Sequence, residues 1–221
     1  LYSKKIQNKK KILFISDVHL GTNSTKHLLK IINKINELDF DMLLIGGDMI
    51  DSNSFKMNNL GYFNSILKPI YFVSGNHEYY LLNFEDKLSQ LSKYNIKFLN
   101  NQTLTIDDIT LIGVSDNISI KQKVNFVKKN FKSNTFNIAL VHKPNIWQDI
   151  KSYSDLMLSG HTHNGQIFPF NLLVKLQFKY LYGLYKEKTN KLYVSSGIGC
   201  WGPKMRIGSN NEIVQILIHP K

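Results

Sequence analysis

This 221-residue chain has one cysteine, one arginine, five prolines and two tryptophans. The single cysteine, Cys200, excludes an internal disulfide framework without fixing a compartment. Of the 28 Lys and Arg residues only Arg206 is arginine. Specific base reading leans on the planar guanidinium fork, so a sequence-specific DNA reader is not expected. No run of 18 apolar residues exists, so no span across a membrane is expected within these residues, and no signal-peptide pattern opens the chain. The chain begins at Leu1 rather than Met, which leaves open an anchor or leader ahead of it.

The chain is rich in lysine and apolar residues. Hydrophobic residues make up 43%, with 13 Phe and 11 Tyr, which excludes a disordered chain. The length suits one domain, and such a chain can bury roughly 70–75% of its unfolded surface. A net charge of +12, nearly all lysine, is a diffuse field suited to anionic partners: nucleic acid, anionic lipid or a phosphorylated substrate.

Short apolar runs alternate with helical stretches. Strands are expected at 11–17, 42–48, 70–74, 96–99, 103–106, 109–114, 137–141, 155–159, 184–186, 192–195 and 213–218. Helices are expected at 24–38, 58–67, 85–94 and 121–130. Early strand–helix alternation followed by hairpins indicates a layered α/β domain with mixed sheets. Ligand sites in such folds follow the carboxyl ends of strands.

The polar clusters stand in those places. Strands end in Asp17-Val18-His19, in Gly47-Asp48-Met49-Ile50-Asp51, in Gly75-Asn76-His77-Glu78, in His142-Lys143-Pro144 and in Gly160-His161-Thr162-His163. Asp17 and His19 are two apart, as are His161 and His163, so in extended backbone each pair points one way. Carboxylate, imidazole and amide donors without thiolate suit Mn²⁺, Fe or Zn²⁺. Their number exceeds the three protein ligands of one catalytic metal, and two metals sharing a bridging carboxylate fit it better.

These blocks (D-x-H, G-D-x-x-D, G-N-H-[DE], a lone His after a strand, and G-H-T-H) resemble the calcineurin-like metallophosphoesterase superfamily over residues 11–200. Residues 161–167 and 193–199, with Pro203 and Arg206, resemble a bacterial branch of membrane-associated or exported phosphodiesterases, related to UDP-2,3-diacylglucosamine pyrophosphohydrolases. The resemblance implies a four-layer α-β-β-α sandwich of two mixed sheets, one catalytic domain over 1–221. It implies that Asp17, His19 and His163 hold one divalent ion, that Asn76, His142 and His161 hold a second, and that Asp48 bridges them, with Mn the first expectation and Fe or Zn also suited. His77 would stand by the leaving group as general acid or transition-state stabiliser. The implied reaction is cleavage of a phosphodiester or pyrophosphate by a metal-bridging hydroxide. A nuclease or phosphomonoesterase of the same superfamily is the alternative, and a non-catalytic metal-binding module is the alternative of another class.

Glu78 could orient a histidine or cap the following helix. Asp51 is expected as a local cap or a partner to a ligand, and Asp116 as either site-facing or a turn residue. Asn164 replaces a glycine common in relatives and tolerates left-handed backbone. Residues 167–185 (IFPFNLLVKLQFKYLYGLY) hold aromatics and two lysines but no acid. They read either as an apolar, cationic flap or as an ordinary helix packed on the core. Phe168, Phe170 and Arg206 are the candidate substrate contacts, and Arg206 reads equally as a structural salt bridge. The expected substrate is a phosphorylated small molecule or lipid-linked compound, with peripheral contact to an anionic bacterial cytoplasmic membrane.

Overall fold

The apolar runs become parallel strands covered on both faces, as continuous rather than alternating hydrophobicity requires. The computed structural model describes residues 1–221. Its strands are Tyr2–Ser3 (β1), Lys10–Ile15 (β2), Met42–Ile45 (β3), Ile70–Phe72 (β4), Ile96–Phe98 (β5), Gln102–Ile106 (β6), Ile109–Val114 (β7), Phe136–Val141 (β8), Leu156–Ser159 (β9), Gly183–Glu187 (β10), Asn190–Val194 (β11) and Val214–Pro220 (β12). The α-helices are Thr25–Asn36 (α1), Phe84–Ser89 (α2), Ile120–Asn130 (α3), Trp147–Ile150 (α4) and Phe170–Gln177 (α5).

One sheet runs β1-β12-β2-β3-β4-β5, the other β10-β11-β9-β8-β7-β6. In the first, β2 through β5 are parallel and β12 is antiparallel to β2. In the second, β11, β9, β8 and β7 are parallel, with β10 and β6 antiparallel at the two edges.

The two-residue side-chain period divides the apolar residues among three cores. Ile12, Phe14, Met42 and Leu44 point between the sheets, against Leu111, Ile138, Leu140 and Leu158. Their neighbours Leu13, Ile15, Leu43 and Ile45 point the other way, onto Leu28, Ile31, Ile32 and Ile35 of α1. On the far side Ile112, Ala139, Val141 and Met157 meet Val127, Trp147 and Ile150. Three cores between four layers give the α-β-β-α sandwich. The Ser24 side chain caps α1, and Ser119 with Gln122 forms a capping box on α3.

Three expectations change. The helix expected at 58–67 is a 3₁₀ stretch, Met57–Ser65, rich in asparagine and holding Gly61, all weak α formers. The helix expected at 85–94 splits into α2 and a 3₁₀ turn, Gln90–Tyr94. Residues 183–185 of the expected insert belong to β10 and pair with β11, so the segment outside the sheets ends at Tyr182.

Candidate metal centre

The strand ends deliver the polar clusters to one rim, where main-chain bonds lock the turns together. Asp17 N–H donates to Gly47 O at 3.0 Å, His19 N–H to Asp48 O at 3.0 Å and Gly160 N–H to His142 O at 2.9 Å. The turns are tight. Asp17, His19, Asp48, His161 and His163 all have left-handed backbone, with φ between 48° and 73°. Non-glycine residues rarely adopt this conformation, and where they do it concentrates at functional sites. Gly47 precedes Asp48 at φ 95°, a conformation costly for any other residue.

The side chains converge from both sheets. His19 Nε2 lies 3.0 Å from His163 Nε2, and His163 Nε2 lies 3.5 Å from Asp17 Oδ1. His161 Nδ1 lies 3.2 Å from His142 Nε2, which lies 3.1 Å from Asp48 Oδ2. Asp48 Oδ2 is also 3.9 Å from His19 Nε2 and 4.0 Å from His77 Nε2. The donors thus form three overlapping groups, Asp17–His19–His163, Asp48–His142–His161 and, joining them, His19–Asp48–His77.

The donors fit divalent ions. Buried imidazole nitrogens this close need a cation or a proton between them. Asn76 Oδ1 is buried with no hydrogen-bond partner, as a ligand oxygen awaiting an ion would be. The residues around the donors fix their orientation. His142 Nδ1–H donates to Gly46 O at 2.8 Å, which leaves Nε2 to face Asp48. His19 Nδ1–H donates to Asp51 Oδ2 at 3.2 Å, and Thr22 N–H holds Asp51 Oδ1 at 2.9 Å.

The charges follow from this packing. Burial would raise the Asp48 and Asp17 carboxyls, but the surrounding histidines outweigh it and hold both below the ordinary carboxylate range. Burial opposes charge on His142, yet Asp48 beside it pushes the imidazole up to about 10. Burial and the charge on His142 lower His161 to about 3. Burial, with His19 and Arg206 nearby, lowers His163 to about 4. Burial lowers His77 as well.

The other expected residues take varied places. Glu78 neither orients a histidine nor serves only its own helix. Its carboxylate accepts four main-chain N–H bonds, from Asp48 (3.1 Å), Met49 (2.6 Å), Ile50 (3.0 Å) and Gly75 (2.7 Å). Burial and the charge of Asp48 push its carboxyl up to about 7, and those donors pull the other way. Asp116 bonds no site histidine. It pairs with Lys123 and, at 2.8 Å, with Lys143. Arg206 braces the turn behind His163, donating to the carbonyls of Ser196 (2.7 Å), Gly199 (2.6 Å) and His163 (3.2 Å). With those donors engaged, Arg206 takes a structural role, but through main-chain carbonyls rather than the salt bridge that was the alternative to a phosphate contact. Phe170 lines a groove beside His161 and His163, whereas Phe168 is exposed outside it. Asn164 is left-handed, as its place requires.

Sequence reasoning passed over Trp201 and Asn23 at the site and gave Pro203 no role of its own. Trp201 and Pro203 form the far wall of the groove. Asn23 Nδ2 ties the carbonyls of Val18 (3.1 Å), His19 (3.2 Å) and Cys200 (2.9 Å). Gly199 and Gly202, on either side of Cys200-Trp201, were the available signal for a turn there, but not for its partner.

Fold and donor set together are those of a metallophosphoesterase domain. The chain belongs to the calcineurin-like phosphoesterase family, whose family model matches residues 10–165. An uncharacterized metallophosphoesterase of Helicobacter pylori is 38% identical over 233 residues, covering 100% of this chain and 63% of the relative. A transmembrane protein with metallophosphoesterase domain from Danio rerio is 32% identical, covering 94% of this chain and 53% of the relative. The chain therefore spans little more than half to three fifths of these relatives. A phosphopantetheinyl hydrolase from Mycobacterium tuberculosis shares the fold, with a TM-score of 0.54 at 11% identity over 87% of this chain and 91% of that one.

Proposed function

We propose that this chain is a two-metal hydrolase of phosphodiester or pyrophosphate bonds, acting on an amphiphilic or nucleotide-linked substrate such as UDP-2,3-diacylglucosamine. The carrying observation is Asp48, whose Oδ2 lies 3.1 Å from His142 and 3.9 Å from His19 and so faces both donor groups. Asp17, His19 and His163 would hold one ion, and Asn76, His142 and His161 the other. Manganese suits these oxygen and nitrogen donors, as do iron and zinc. When bound, such a pair supplies positive charge to phosphoryl oxygens and lowers the pKa of water.

His77 stands at the mouth, half-buried, its main-chain N–H bonded to Asp48 Oδ1 at 2.9 Å. Burial lowers its pKa, and its ring N–H stands where it could meet a departing oxygen. His77 would act there as general acid or as transition-state stabiliser. A groove of about 420 Å³ opens off His161 and His163, walled by Ile167, Phe170, Val174, Phe178, Trp201 and Pro203. It offers space for an apolar arm of the substrate. The Danio rerio relative, a transmembrane protein with metallophosphoesterase domain, supports work at a membrane.

The test is a substrate panel with manganese-loaded chain, covering a chromogenic diester, a monoester, a pyrophosphate and UDP-diacylglucosamine. The diester and the pyrophosphates should turn over. His77→Ala should keep its metal and lose about 10²–10⁴-fold in rate on poor leaving groups. Asp48→Ala should lose metal itself. No hydrolysis anywhere in the panel would leave a metal-binding module instead.

A further inference from the structure

Helix α5 faces away from every core. None of its residues is fully buried. Val174 is half-buried toward the groove, as is Phe178 just beyond the helix, while Leu172, Leu173 and Leu176 point out, Leu176 with 86% of its surface exposed. The patch continues beyond the helix. Phe168 N–H bonds Ile207 O at 2.8 Å, and Ile207 N–H bonds Gln166 O at 3.0 Å, which ties the start of the segment to the 200–207 loop. That loop adds Trp201, Met205 and Ile207, all exposed. Leucine side chains gathered on one exposed face mark an interaction surface.

The charge around the patch selects the partner. Residues 161–182 and 199–211 contain Lys175, Lys179, Lys204 and Arg206 and not one Asp or Glu. Arg206 is turned inward, but Lys175 and Lys179 stand exposed beside the leucines. A second copy of this chain would meet the patch through a two-fold axis, which places lysines against lysines with no acid to pair them. An anionic bilayer surface satisfies both features, the leucines in the acyl boundary and the lysines at the headgroups.

We infer that the outer face of α5 and the 200–207 loop dock the chain on an anionic lipid surface, with the groove mouth held at headgroup level. The inference builds on the phosphoesterase reading only in what the docked mouth would act upon, since binding is read here without turnover. In sedimentation, the full chain should partition onto phosphatidylcholine vesicles carrying phosphatidylglycerol, and weakly onto phosphatidylcholine alone. The two tryptophans make insertion visible. Trp201 is 57% exposed within the patch and Trp147 is 1% exposed in the core, so brominated acyl chains should quench Trp201 alone. Leu173→Asp with Leu176→Asp should cut partition by about tenfold or more. Lys175→Glu with Lys179→Glu should cut it by about fivefold or more and remove the lipid-charge preference. Both pairs lie outside the groove wall and should leave diester hydrolysis unchanged. The inference is overturned by absent vesicle binding, by binding that ignores both double variants, by binding without quenching, or by a concentration-dependent dimer in place of vesicle binding. Hydrolysis lost with binding intact would count against the phosphoesterase reading alone.

Discussion

Asp51 Oδ2 lies 3.2 Å from His19 Nδ1, across the ring from the nitrogen that faces His163. Asp51 Oδ1 meanwhile accepts from Thr22 N–H. An asparagine has one acceptor oxygen for these two donors, and its amide would point hydrogens at the other. Asp51→Asn should therefore stay folded and bind manganese about 10–100-fold more weakly, as read by metal titration. Unchanged affinity would reduce Asp51 to a loop cap.

A Cβ on Gly75 would stand 2.1 Å from Asp48 Oδ1 and 2.7 Å from Asp48 N. One of these atoms lies on the shared carboxylate and the other on its main chain, so neither can swing clear. Gly75→Ala is expected to lose metal at least about tenfold, because a shift in Asp48 disturbs both donor groups. Metal content after gel filtration checks this, and circular dichroism should show the fold retained.

Glu78 satisfies four buried main-chain donors with one carboxylate. Glutamine would serve two and turn an amide toward the rest. Each buried donor left unpaired costs about 1–3 kcal/mol, so Glu78→Gln should destabilise the chain by about 2–4 kcal/mol. Urea unfolding of the chelated protein measures this apart from metal binding, and a change within about 0.5 kcal/mol would refute the role.

The histidines give the chelated chain a stability that depends on pH on both sides. His161 and His163, lowered to about 3 and about 4 from 6.5, favour the folded chain above pH 6.5 and withdraw that support as pH falls. His142, raised to about 10, gives support that is complete below pH 6.5 and fades as pH rises toward 10. The melting temperature with chelator should peak at about pH 6.5–7 and fall either way. A flat profile from pH 5 to 9 would contradict these environments.

The ligand turns were legible because each follows an apolar run that has no option but to be a buried strand. Asp17, Asp48, Asn76, His142 and His161 could be placed at one rim before any distance was known. The roles of Glu78 and Arg206 were not legible. Both act on main-chain atoms, and no residue type marks a carbonyl of Gly199 or an N–H of Met49 as a partner. The 3₁₀ stretch at 57–65 was missed because apolar spacing alone does not separate three from 3.6 residues per turn. For α5 the sequence held two readings, and exposure of Leu173 and Leu176 decided between them.

Five of the gathered donors sit on left-handed backbone where glycine would rest more comfortably. Each such residue carries a conformational penalty of about 1–2 kcal/mol that glycine escapes. Evolution toward a tougher fold and evolution that keeps these donors therefore pull in opposite directions along this rim. Stability alone would favour glycine at these five positions, so what the donors give the site is gained at the expense of the fold that carries it.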